Sequence, residues 1–186
     1  MYVGMLDPNP KIYNQGCKKL TEAGVEVSYF PRELRDEIAA DNSSFIAQYY
    51  ANPELQGSAT FNYTNNNGRF TIGNNDMLFE TQWSKASDSE IHVYNDPSTI
   101  KSVAIADGSR EICQIKDASI FDASSRGRTP QTNEIVVLEN ANGYFAAIKI
   151  IGIQDKTRPG NNRDELAFEY RILVNKTCDF TKHDPA

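Results

Sequence analysis

The sequence predicts an α+β fold: a short N-terminal β-α-β-α segment followed by an antiparallel β sandwich or small barrel. Three observations predict it. The first fifty or so residues alternate continuous apolar runs with helix-periodic ones. Beyond about residue 58 the pattern turns to short alternating runs divided by Asn/Gly turns. The length, 186 residues, suits one compact domain or one domain with an appended piece. The expected organisation is an α/β piece over 1–51, a linker over 52–58, an all-β module over 59–175 and a loose tail over 176–186.

Tyr2-Val-Gly-Met-Leu6 is a short apolar run of the kind found in buried parallel strands. Asp7-Pro-Asn-Pro10 ends it, because two prolines cannot share a sheet ladder. Ile12, Cys17, Leu20 and Ala23 share a helical face, and Gly24 suits the position just past a helix. Val25 to Phe30 reads as a second strand, and Pro31 opens a helix carrying Leu34, Ile38, Phe45, Ile46, Tyr49 and Tyr50. Asp41-Asn-Ser-Ser44 interrupts that helix midway, and Asn52-Pro-Glu-Leu-Gln-Gly-Ser58 is the linker.

In the β module, Thr60-Phe-Asn-Tyr63 and Arg69-Phe-Thr-Ile72 flank Asn65-Asn-Asn-Gly68, which predicts a hairpin. Strands are expected over 77–82, 90–94 and 102–106, with a short one over 112–115. Glu134 to Glu139 and Tyr144 to Ile153 around Asn140-Ala-Asn-Gly143 form the clearest hairpin, and Glu165 to Leu173 is a last strand.

Composition narrows the function classes. No apolar run approaches the roughly eighteen residues of a membrane span, and the uncharged start running into Asp-Pro does not read as a secretory signal. The cytoplasm is the expected compartment. Cys17, Cys113 and Cys178 are too few for a disulfide framework and too widely separated for a zinc knuckle. A formal charge of −6 argues against non-specific nucleic-acid binding, which depends on neutralising phosphates. Phosphate-loop, dinucleotide-fingerprint and nucleophile-elbow motifs do not occur in the sequence.

Met5-Leu-Asp-Pro-Asn-Pro10, then Gly16, Leu20 and Glu22-Ala-Gly-Val-Glu-Val27, resemble the bacterial riboflavin-biosynthesis deaminase of the cytidine-deaminase-like class. Glu33-Leu-Arg-Asp-Glu37 and Asn42 to Phe45 are similar to the next helix of that family. The resemblance implies that residues 1–51 are the remnant of a deaminase-like α/β domain, with Asp7 and Asn9 on its motif loop. A zinc deaminase needs His-x-Glu and Pro-Cys-x-x-Cys to hold the metal and shuttle protons. His92 and His183 do not begin His-x-Glu and no Cys-x-x-Cys occurs, so no cofactor and no metal residue is expected here. In the family those motifs precede Asp-Pro-Asn-Pro; zinc enters only if an upstream deaminase region exists, and the resemblance implies a C-terminal part of a longer bacterial protein.

The candidate ligand site is Trp83, Lys85, His92 and Tyr94, with Arg126 and Arg128 from Ser124-Ser-Arg-Gly-Arg-Thr129. Aromatic faces beside a few directed donors suit a ring-bearing ligand such as a nucleotide, and arginines flanking a glycine suit a phosphate or carboxylate. The bland alternative is that Trp83 and Tyr94 are core aromatics, that Asn95-Asp-Pro97 is a turn and that the arginines are solvated. The stretch Trp83 to Pro97, with the hairpin around Gly143, also resembles C-terminal modules of bacterial effector proteins, TIR-type ones among them.

The leading expectation is a non-catalytic region whose β module senses a small anionic or nucleotide ligand or binds protein. A fragment of an active zinc-dependent nucleotide or pyrimidine deaminase is one alternative. A structural module for self-association, with a second copy of the chain as partner, is the other.

Overall fold

The computed structural model describes residues 1–7, 14–42, 55–174 and 176–181. Among the described residues the chain forms a mixed fold of two α-helices and antiparallel sheets, with one small parallel pair at its start. Strand β1 (Tyr2–Val3) pairs in parallel with β2 (Ser28–Tyr29), and α1 (Gln15–Glu22) crosses between them. Helix α2 (Arg32–Asp41) starts just past Pro31, whose ring fixes a helix-compatible entry and whose missing N–H is not needed there. Phe45, Ile46, Tyr49 and Tyr50 lie outside the described residues, as do Asn9 and residues 52–54 of the expected linker.

The rest builds two antiparallel sheets. The larger runs β3-β11-β10-β9-β7, from β3 (Gln56–Phe61), β7 (Ile100–Ile105), β9 (Ile135–Asn140), β10 (Phe145–Gln154) and β11 (Glu165–Ile172). The smaller runs β4-β5-β6-β8, from β4 (Arg69–Ile72), β5 (Phe79–Lys85), β6 (Ile91–Tyr94) and β8 (Gly127–Arg128). The sheets are separate, so the small-barrel alternative is corrected: among the described residues no closed barrel forms. Their inner faces share one core, in which Trp83 of β5 stacks on Phe168 of β11 at 6.1 Å between ring centroids. Phe61 and Phe70 complete this aromatic cluster, 4.7 Å apart.

The hairpin of β9 and β10 is present as expected. Its turn is held by the Asn140 side chain, whose Oδ1 accepts from the backbone N–H groups of Asn142 and Tyr144. The hairpin expected of 60–63 with 69–72 does not form. β3 pairs with β11, and β4 pairs with β5 in the other sheet. Asn66 and Asn67 both take positive φ, so the segment turns a corner between sheets instead of doubling back. Residues 56–58 belong to β3 and not to a linker, and 112–114 form a 3-10 turn in place of a strand.

The tail over 176–186 is corrected over its described part. Phe180 is fully buried, its N–H bonds the Ile115 carbonyl at 2.9 Å, and Cys178 accepts from the Ala118 N–H at 2.7 Å. A large aromatic buried against Ile115 and Leu173 outweighs the entropy of ordering the few residues that carry it.

The N-terminal piece packs on one end of the two sheets. Leu6 and Ala39 join the shared core, while Ile38 closes over Gly4 and Phe30. Polar links surround this contact: Asn14 and Lys18 bond Asp76, Arg32 bonds Asp117, and the Lys176 ammonium lies 5.2 Å from the Tyr29 ring. Among the described residues, no helix is long and apolar enough to cross a membrane.

Candidate functional site

Strand periodicity decides which side chains can meet. In β5, Phe79, Thr81 and Trp83 point into the core, so Glu80, Gln82 and Ser84 face outward; in β6, Ile91 and Val93 point in and His92 and Tyr94 out. The ladder sets Gln82 opposite Tyr94 and Ser84 opposite His92, and Tyr94 opposite Gly127 of β8. The two segments singled out in the sequence therefore meet, on an open sheet face.

Three of the six candidate residues gather there. The Tyr94 hydroxyl and Ser84 Oγ are 2.9 Å apart, and the His92 and Tyr94 rings are 6.1 Å apart. His92 Nδ1 lies 2.9 Å from Thr129 Oγ1. The Arg126 guanidinium sits 5.2 Å from the Tyr94 ring centre, within range of a cation–π contact. Its Nε donates to Asp96 at 2.6 Å and its Nη2 to the other carboxylate oxygen. That fork-shaped pairing holds the Asp96 carboxyl below its ordinary range and raises Arg126. The Arg126 side chain nevertheless remains 70% exposed.

The other three are placed elsewhere. Trp83 is 1% exposed, on the opposite face of the sheet, with its indole N–H donated to Thr81 Oγ1 at 2.7 Å. It is a core aromatic with a satisfied polar tip and offers no face to a ligand. The Lys85 ammonium is 2.7 Å from Asp155 and 3.0 Å from Thr157 Oγ1. Arg128 donates to the Asp122 carbonyl from Nε at 3.2 Å and pairs with its carboxylate at 3.0 Å. Lys85 and Arg128 thus fasten loops. Asp7 is half-buried just after β1, and its motif partner Asn9 falls outside the described residues.

Gln82, Ser84 and Asp96 take part without having been among the candidates, together with Gly127 and Thr129 of the segment singled out around the two arginines. Reading 79–85 as a strand would have found Gln82 and Ser84 by alternation with Trp83. The sequence marks Gly127 only as the glycine between two arginines, and the structure gives it a packing role. A Cβ there would lie 3.0 Å from Tyr94 Cδ1 and 3.2 Å from the Val93 carbonyl, so glycine lets the ring lie across the strand. Among the described residues, no group of three His, Cys, Asp or Glu side chains is placed to hold a metal ion.

The arrangement offers two rings, a guanidinium beside one of them and short polar donors on one sheet face. No family model matches this chain, and no curated protein matches it in sequence.

Proposed function

We propose that the β module is a non-catalytic recognition domain whose β5-β6-β8 face takes a small anionic ligand bearing a ring, a nucleotide being the class that suits it. The observation that carries this reading is Tyr94, fixed by Ser84 and flanked by His92 and Arg126 on an uncovered sheet face. A base stacks on such a ring whatever its identity. A phosphate replaces the Asp96 carboxylate on the Arg126 fork, a like-for-like exchange of anions on one guanidinium.

The same reading takes the two sheets as a β sandwich, supported by their shared core, and takes residues 1–51 as a deaminase-like remnant. The parallel β1–β2 pair joined through α1 supports that descent, because such a crossover is the unit of α/β domains. Among the described residues no disulfide joins Cys17, Cys113 or Cys178, which suits the cytoplasm.

Calorimetric titration with adenine and guanine nucleotides, and with inorganic pyrophosphate, tests the ligand class. Saturable nucleotide binding that weakens about tenfold in both Tyr94→Ala and Arg126→Ala is the expected result. Heats that stay flat across the panel, or binding indifferent to both substitutions, would sink the proposal.

A further inference from the structure

An open sheet has edges, and an unprotected edge is a template for another strand. Among the described residues, four strands lie at the edges of the two antiparallel sheets: β3 and β7 in the larger, β4 and β8 in the smaller. Three of them carry recognisable protection. β7 has a register shift between Ile100 and Ser102 and presents Lys101, 62% exposed and paired with Glu139. β4 spans four residues and carries Arg69, paired with Glu80. β8 has two residues.

β3 has none of these devices. It runs over Gln56–Phe61 in unbroken register against β11, from Gln56 opposite Arg171 to Phe61 opposite Leu166. No charged residue and no proline occurs between Glu54 and Arg69. The Ile172 N–H bonds the Leu55 carbonyl at 2.7 Å, which sets the parity of the ladder. Residues 57, 59 and 61 turn their backbone groups toward β11, and Gln56, Ser58 and Thr60 turn theirs outward. Among the described residues, no strand pairs with that outer edge.

We propose that β3 is a homodimerisation edge, pairing antiparallel with β3 of a second copy about a two-fold axis at Ser58. Residues opposite each other in an antiparallel pair share a sheet face, so the register must match like parity. Centring the axis at Ser58 does so. Ser58 then meets Ser58 of the second copy, Gln56 meets Thr60, and Gly57 meets Ala59. Each meeting is between small or uncharged groups, and the polar ones can bond across the strands. About six backbone hydrogen bonds close the edge, and the larger sheet continues across the axis with five strands from each copy. The self-complementarity of this register is what selects a second copy as the occupant. A strand pair alone buries less than the roughly 1,200 Å² of a standard interface, so the association falls in the weak, reversible class.

Sedimentation equilibrium on the full chain, from about 1 μM to about 1 mM, is the test. A monomer–dimer equilibrium is expected, with dissociation at least tenfold easier in Ser58→Lys and in Thr60→Lys, both exposed positions, at unchanged melting temperature. Ser58→Cys supplies an independent readout. The two Cα atoms lie about 5.5 Å apart in a hydrogen-bonded pair, within disulfide range, so mild oxidation gives a covalent dimer that the wild-type chain does not. A monomeric mass at every concentration would overturn the proposal, as would a dimer equally strong in both lysine variants. The nucleotide-binding face belongs to the other sheet, so its titration stands or falls separately.

Discussion

The Lys85 ammonium lies 2.7 Å from the carboxylate of Asp155, tying the end of β5 in the smaller sheet to the residue that follows β10 in the larger. Asp155 is fully buried by the surrounding residues and also accepts from the Thr157 N–H at 2.9 Å and hydroxyl at 2.8 Å. The Lys85 bond, then the Thr157 bonds, bring its pKa down to about 2 from an ordinary 3.8.

A pH dependence follows from that shift. Between about pH 2 and 3.8 the unfolded chain binds a proton here that the folded chain does not, so the contribution of Asp155 is complete above this window and is lost as pH falls through it. In Asp155→Asn the acid limb of a melting-temperature profile becomes shallower over that window. Lys85→Met moves the limb to higher pH, because the carboxylate loses its main stabilising partner. An acid limb identical in all three proteins would show that the pair does not titrate as described.

Trp83 is the protein's only tryptophan and reports on its own burial. Its emission is expected to be blue-shifted and poorly quenched by acrylamide in the native state, and to shift red on unfolding. Trp83→Phe leaves part of the stack on Phe168, whereas Trp83→Ala destabilises by about 3–5 kcal/mol. Thr81→Val strips the indole N–H of its acceptor and costs about 1–3 kcal/mol, read by urea denaturation.

The corner between β3 and β4 depends on Gly68. Its φ of +73° disfavours a side chain, and a Cβ would lie 1.8 Å from the Trp83 carbonyl oxygen. Gly108 has a similar φ of +83° with open space around it. Gly108→Ala should therefore cost only the backbone term, about 1–2 kcal/mol. Gly68→Ala adds a backbone collision and should cost about 3 kcal/mol or more. Equal losses in the two variants would place the effect in φ alone.

Phe180 and Cys178 make the end of the described chain part of the fold. Phe180→Ala is expected to destabilise by about 3–5 kcal/mol, far beyond the effect of changing a loose tail. The Cys178 thiol is 6% exposed, and burial, then the Asp117 carboxylate, pushes its pKa up to about 12. Thiol titration of the native protein with a disulfide reagent should find Cys17 and Cys113 reacting ahead of Cys178, with all three reacting alike in denaturant.

The sequence by itself determined where most strands run and how the clearest turn is made. The β9–β10 hairpin was legible because alternation and an Asn-Gly turn are local signals, contained within some twenty residues. The strand of Glu165 was legible for the same reason. The open face of β5 and β6 was half legible: His92 and Tyr94 alternate with Ile91 and Val93 in the sequence, but Trp83 carried no mark of which face it would take. Its face is set by parity within β5, and that parity is anchored by distant partners, Phe168 among them. Only the tertiary structure decided that β3 and β4 go to different sheets, that Arg126 and not Arg128 joins Tyr94, and that Phe180 is core. Each of these is a choice among partners far apart in the chain, made by burial and by competing ion pairs. Local periodicity states that a strand exists; it does not state against what the strand will lie.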